Sequence, residues 1–274
     1  MGMGKPVEFH FDQRHPGELA LLTVSGSHAY GLAHEASDLD LRGVYVAPGA
    51  DLFKADLVRE QVVLHDPDTT IFELRKFCKL AAAGNPGALE MLWTPPAQIV
   101  VASEAWAEMV AVRQAFLSVR VHEAFLSYAR SQWEDASRLA AGEEMGGRWK
   151  ERTRLKHLVH TFRVLEEAEM LFRTGEMKVR VDDAERLRRL AARPSEELAA
   201  VIRERIGVLA AIPTRFAERP DSAAIDRLLV KLRMEALERE RQLGPQGWNL
   251  AEADYEGAGW PKPAVKDEGS EVSV

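Results

Sequence analysis

The chain holds 274 residues in 30.6 kDa; 46% are hydrophobic and 29% charged, a balance that excludes disorder throughout and allows a sizeable core. Its formal net charge of −7 makes it a poor non-specific polyanion binder, because much of such affinity comes from counterion release by basic side chains. The single cysteine, Cys78, excludes an internal disulfide or a thiolate metal cluster, and no apolar run approaches the ~20 residues of a membrane helix, nor does the N-terminus look like a signal peptide. A cytoplasmic protein without a membrane or an obligate protein partner is therefore expected.

The first third reads as mixed α/β. Leu19 to Val24 is a short apolar run that stops at Ser25-Gly26-Ser27, which suits a buried strand. Leu39 to Val46 predicts a second strand. A third lies within Gln61 to Phe72, split by Asp66-Pro67-Asp68, since Pro67 cannot donate to a sheet ladder. Glu73 to Ala83 predicts a helix with Leu74, Phe77, Cys78 and Leu80 on one side, closed by Gly84 ahead of Asn85-Pro86.

Beyond residue 100 helical periodicity dominates, over Glu104–Tyr128, Tyr128–Ala141, Trp149–Thr174, Ser195–Ala210 and Ser222–Leu243, with breaks at Gly142, Gly146-Gly147, Gly175, Pro194, Pro213 and Pro220. The expected architecture is α+β: a small mixed-sheet domain over residues 1–100, a helical domain over 101–247, and a tail over 248–274 that is rich in Gly, Pro and acids. Only within Arg120 to Arg180 does base outnumber acid, and there Arg148, Lys150, Arg152, Arg154, Lys156 and Arg163 face only Glu151.

The most informative segment is Gly26-Ser27-His28-Ala29-Tyr30-Gly31 followed by Ser37-Asp38-Leu39-Asp40-Leu41-Arg42-Gly43. A Gly-Ser turn after a buried strand lets amides and a hydroxyl approach a phosphate closely. Asp38 and Asp40, two apart on a strand, share a face. Side-by-side carboxylates repel unless a cation lies between them, and Mg²⁺ is the oxygen-preferring ion that also binds nucleotide phosphates. Together these suggest a nucleotide site. Arg42 shares the same face and either pairs with an aspartate or touches phosphate; the ion pair is the preferred expectation.

Gly26-Ser27, ten residues, then Asp38-x-Asp40 resembles the signature of the nucleotidyltransferase superfamily that includes DNA polymerase beta. The longer strings, Gly-Ser-His-Ala-Tyr-Gly-Leu-Ala and Ser-Asp-Leu-Asp-Leu-Arg-Gly-Val-Tyr, are similar to a bacterial and phage group of nucleotidyltransferases containing the RNA-ligase-associated enzymes. Phe72 to Phe77, Gly84-Asn85-Pro86 and Leu89 to Trp93 continue that resemblance. It covers about Leu19 to Trp93 well and Lys156 to Val179 loosely.

The resemblance implies an Mg²⁺-dependent enzyme that moves an NMP from an NTP to a hydroxyl acceptor, an RNA or tRNA end, at a site holding two Mg²⁺ ions. Asp38 and Asp40 would be catalytic metal ligands, with Asp68 as the third carboxylate on a neighbouring strand and Asp66 in reserve. Ser27 and the amides around Gly26 would hold the β- and γ-phosphates. His28, within that turn, either contacts nucleotide or caps a backbone group. Lys156, His160 and Arg163, spaced four and three apart, share one helical face. They form either an exposed stripe or a grip on triphosphate or acceptor, and the family shows a similar Lys, His, Arg pattern there. Trp149 either stacks a base or packs in the core, and Tyr30 and Cys78 read as packing residues. The acidity of the chain points instead to a protein or small-molecule acceptor, and a catalytically silent nucleotide-binding module is a further reading.

Overall fold

A computed structural model describes residues 17–34, 37–55, 58–65, 67–141 and 148–243, with backbone alone at 141, 148–150 and 243. Asp66, the side chain of Trp149 and the tail over 248–274 lie outside the described residues. The architecture is α+β. Strands β1 (Glu18–Ser25), β2 (Asp40–Val46), β3 (Gln61–His65), β4 (Asp68–Glu73) and β5 (Ile99–Ala102) form one mixed sheet in the order β3-β4-β2-β1-β5. Only β2 and β4 run parallel; the other neighbours are antiparallel.

Period-2 alternation sorts β2 into two rows. Leu41 and Tyr45 join Leu22, Val24, Val62 and Ile71 in an apolar cluster on one face of the sheet. Val44 and Val46 face the other way, into the larger core built with the helices. Asp40 and Arg42 continue that second row, so the strand passes from charged to apolar on its helix-covered side.

Local chemistry sets the first helices. Ser25 leads into the short α1 (Gly26–Tyr30). The Glu73 carboxylate caps α2 (Leu74–Ala82), accepting from the Arg75 and Lys76 amides at 2.7 and 3.4 Å, and also accepts from Arg233 at 2.8 Å. Asn85 caps α3 (Pro86–Leu92) by accepting from the Ala88 amide at 3.0 Å, with Pro86 where its missing N–H costs nothing.

The helical remainder comprises α4 (Glu104–Ala111), α5 (Arg120–Ala141), α6 (Arg148–Thr174), α7 (Ala184–Ala191), α8 (Ser195–Ala210) and α9 (Ser222–Leu243). The long α5 and α6 pack together, α7 and α8 lie against α6, and α9 returns to touch α2, α4 and β2. One apolar core joins β1, β2, α2 and α3 to α4 through α9. The helix expected over Glu104–Tyr128 is interrupted. It ends at Ala111, a short 3-10 turn covers Arg113–Phe116, the Val119 amide donates to the Ala217 carbonyl at 2.9 Å, and α5 then runs unbroken through Tyr128. Strand β5 and helix α7 were not anticipated.

Candidate active site

Backbone register brings the predicted acids to one edge. Ser25 pairs with Asp40 across β1 and β2, and Leu41 pairs with Thr69 across β2 and β4. Asp40 and Asp68 therefore stand at matching positions on parallel neighbours, one residue before that pair, about 4.8 Å apart in strand spacing. Asp38 precedes Asp40 by two. Asp38 and Asp68 are exposed and Asp40 is half-buried. Burial pushes the Asp40 carboxyl above the usual carboxylate range; the charges of Asp68 and Asp38 push the same way, and Lys156 and Arg42 oppose them.

The Gly-Ser turn closes on this group. Gly26 has φ +62°, and a Cβ there would lie 2.0 Å from Oδ2 of Asp40. Glycine is required twice over, for the left-handed backbone and for the close approach. The Nε2 of His28 lies 3.2 Å from the Ser37 carbonyl, tying α1 to the segment that enters β2. The amide of His34 donates to the Ser37 hydroxyl at 2.9 Å and tightens the same loop.

The Lys156, His160 and Arg163 row on α6 is not a uniform stripe. Lys156 is exposed, and its charge is felt at Asp40. His160 is half-buried. Arg163 Nε donates to its Nδ1 at 3.3 Å, so a neutral ring carries its proton on Nε2 and donates it to the Tyr128 oxygen at 2.9 Å. Burial first, then the charges of Arg163, His157 and Lys156, holds that imidazole well below its ordinary value.

Arg163 is 1% exposed, which removes it from any surface grip. It donates to Glu90 and Glu167, each at 2.9 Å, and its guanidinium lies 3.7 Å from the centre of the Tyr30 ring. The Tyr30 hydroxyl completes the set by donating to Glu90 at 2.8 Å. Burial, then the Glu90 charge, pushes Glu167 well above its ordinary value. Its Oε1 has no hydrogen-bond partner among the described residues. The network thus locks α1, α3 and α6 together beneath the aspartates. Sequence reading treated Tyr30 as packing and passed over Glu90 and Glu167.

Arg42 differs from expectation. It forms no hydrogen bond or ion pair with a described residue; the same holds for Asp38, Asp40, Asp68 and Lys156. Its guanidinium lies against α3, where a Cβ on Gly87 would come 2.2 Å from Nη1. A cavity of about 20 Å³ opens beside it, bordered by Ser25, Tyr30, Gly87, Glu90 and Gln98. Further out, Arg152 donates to the His34 ring at 2.8 Å, Arg188 to the Leu32 carbonyl at 3.1 Å, and Arg180 lies against Gly31. These bases rim the loop between α1 and Asp38.

The donor set at the sheet edge is wholly carboxylate, which suits Mg²⁺. Among the described residues no three His, Cys, Asp or Glu side chains converge to hold a metal ion, so Asp38, Asp40 and Asp68 do not form a ready-made three-carboxylate site.

The family model for the RNA repair pathway DNA polymerase beta family, RlaP, matches residues 8–231. The chain belongs to that family. RlaP membership makes it a relative of the nucleotidyltransferases. An uncharacterised 38.9 kDa protein from the nrdC–mobD intergenic region of Enterobacteria phage T4 is 33% identical over 134 residues, 42% of this chain and 39% of the phage protein. The chain thus matches about two fifths of that relative's length. A nucleotidyltransferase-like protein from Exiguobacterium sibiricum aligns over 82% of this chain and 74% of its own, at 11% identity and a TM-score of 0.26. Among the described residues no helix is long and apolar enough to cross a membrane.

Proposed function

We propose that this RlaP-family protein transfers an NMP from an NTP to the hydroxyl of an RNA or tRNA end. The observation that carries the reading is that unpaired Asp40 and Asp68 stand at matching positions on parallel β2 and β4, with Asp38 two residues before Asp40 and the Asp40 carboxylate against Gly26. Such charges are costly to hold together and are matched to a cationic ligand rather than to the fold.

In this reading Asp38, Asp40 and Asp68 would hold two Mg²⁺ ions, with water and substrate phosphate completing their coordination. When bound, they supply positive charge that acidifies the acceptor hydroxyl and offsets charge on the leaving group. Ser27 and the amides around Gly26 hold the β- and γ-phosphates, and Lys156 draws the triphosphate in. The acceptor oxygen attacks the α-phosphorus, the bond to the bridging oxygen of the β-phosphate breaks, and pyrophosphate leaves in line. Asp68 receives the hydroxyl proton. His160 and Arg163 position α6 from behind instead of gripping substrate.

Support for an RNA acceptor comes from the RNA repair family model, from the basic segment of α6, and from Arg152, Arg180 and Arg188 around the loop beside Asp38. The net charge of −7 favours the second reading, a protein or small-molecule acceptor. Incubation with labelled NTPs, Mg²⁺ and pools of RNA and protein decides between them. Label on RNA ends supports the proposal, and label on polypeptide replaces the acceptor. Nucleotide binding without pyrophosphate release would reduce the protein to a silent module.

A further inference from the structure

Arg42 is a half-buried cation at the candidate site, where Lys156 is exposed. A guanidinium carries five donors, no acceptor and a permanent charge, so a half-buried one is ordinarily paired with a carboxylate or carbonyl. Arg42 has neither among the described residues, although Asp40 lies two positions away on the same row of β2. The Asp40 carboxylate sits against Gly26, and the Arg42 head lies over Gly87 on α3 instead.

The space Arg42 occupies exists because residue 87 has no side chain. It is joined on one side by the cavity bordered by Ser25, Tyr30 and Glu90. Its charge is felt at Asp40, Tyr30, Tyr128 and His160, which places the head between the sheet edge and the helices that cover it. The nearby Glu90 is already engaged by Arg163 and Tyr30. The free donors of Arg42 are therefore open to a ligand rather than held by the fold.

We infer that Arg42 is a phosphate-binding residue, its guanidinium held against Gly87 so that its fork meets a phosphoryl group brought beside Asp40. The planar fork suits phosphate oxygens bidentately, which a point charge such as lysine does not reproduce. The aspartates would otherwise repel a polyphosphate, and the charges of Arg42 and Lys156 oppose that field at Asp40. The inference deepens the nucleotidyl-transfer reading and rests on it for the presence of phosphate at this edge. The phosphate belongs either to the triphosphate or to the acceptor backbone.

Two substitutions test it without relying on turnover. Arg42→Lys keeps the charge and loses the fork. Gly87→Ala keeps Arg42 intact but drives its head aside, and alanine is the better helix former, so α3 should tolerate it. Circular dichroism and melting temperature establish folding of both. Equilibrium binding of inorganic tripolyphosphate and of a single-stranded RNA oligonucleotide is then measured for the whole protein in EDTA.

Both variants should bind at least one of these probes roughly tenfold more weakly, the loss expected when a charged hydrogen bond is removed. Loss confined to tripolyphosphate assigns the contact to the nucleotide, and loss confined to RNA assigns it to the acceptor. Unchanged binding of both probes in folded Arg42→Lys and Gly87→Ala overturns the inference. Absence of NMP transfer by the unaltered protein would sink the proposed reaction and leave this binding result standing.

Discussion

The Asp40 carboxylate fills the space that a side chain on Gly26 would need, with Oδ2 lying 2.0 Å from where that Cβ would be. Gly26→Ala must therefore move either the turn or the carboxylate. NMP transfer should fall by about 10²-fold, the scale of an ångström-sized misplacement at a reacting centre. The left-handed backbone adds about 1 kcal/mol of instability. Transfer rates and chemical denaturation read the two effects separately; a variant with more than half the original rate would show that the turn does not position Asp40.

Asp40→Asn should abolish transfer yet leave the fold as stable or more so at pH 7. The folded carboxyl titrates above its unfolded value, so its contribution to stability is present at pH below 3.8 and lost as pH rises through the folded value. At neutral pH the ionised group opposes folding, and the amide removes that opposition. Melting curves at pH 7 and below pH 4 check this, the difference between variant and parent disappearing in acid. Millimolar Mg²⁺ should raise the melting temperature of the parent and not of Asp40→Asn.

The buried network gives a contrast between two neighbours. Arg163→Met strips the Glu90 charge of its buried partner and should cost about 3–5 kcal/mol in urea denaturation. Glu167→Gln should cost less than about 1 kcal/mol, because the amide oxygen still accepts from Arg163 while the charge that burial and Glu90 oppose is removed. Equal losses in the two variants would mean that Glu167 is ionised in the fold.

His160 links stability to pH. Its folded value lies well below 6.5, so between the two values the unfolded chain holds a proton that the folded chain refuses. Stability due to this group is complete above 6.5 and lost as pH falls toward the folded value, by up to about 1.4 kcal/mol per pH unit. His160→Gln should flatten the decline in stability between pH 7.5 and 5, leaving the smaller contributions of His122 and His157, which are also pushed down by burial. An unaltered slope would place the pH response elsewhere.

Much of the sheet edge was legible because strand alternation and the proline break are local. Leu19 to Val24 and Leu39 to Val46 mark β1 and β2 within a residue or two, and Pro67 divides β3 from β4. What put Asp40 beside Asp68 is the parallel pairing of β2 and β4, which no periodicity states. The fate of Arg163 was hidden for a related reason. Spacing aligns it with Lys156, but α6 runs from an exposed edge into the core, and the partner it meets there, Glu90, lies 73 residues earlier. Arg42 shows the same limit, since a shared face with Asp40 did not reveal that Gly26 claims the carboxylate and Gly87 admits the guanidinium. Strand β5 and helix α7 are four and eight residues long, too short for a pattern to stand out.

Because β2 and β4 run the same way, both deliver their acids where they begin, and the chain leaves β2 at its opposite end after Val46 and comes back through β3. Length added or removed between Val46 and Gln61 is therefore felt at the end of the molecule remote from the aspartates. Such a change would first disturb the seat of α9, whose Glu240 accepts from the Gly49 and Ala50 amides at 3.0 and 3.2 Å.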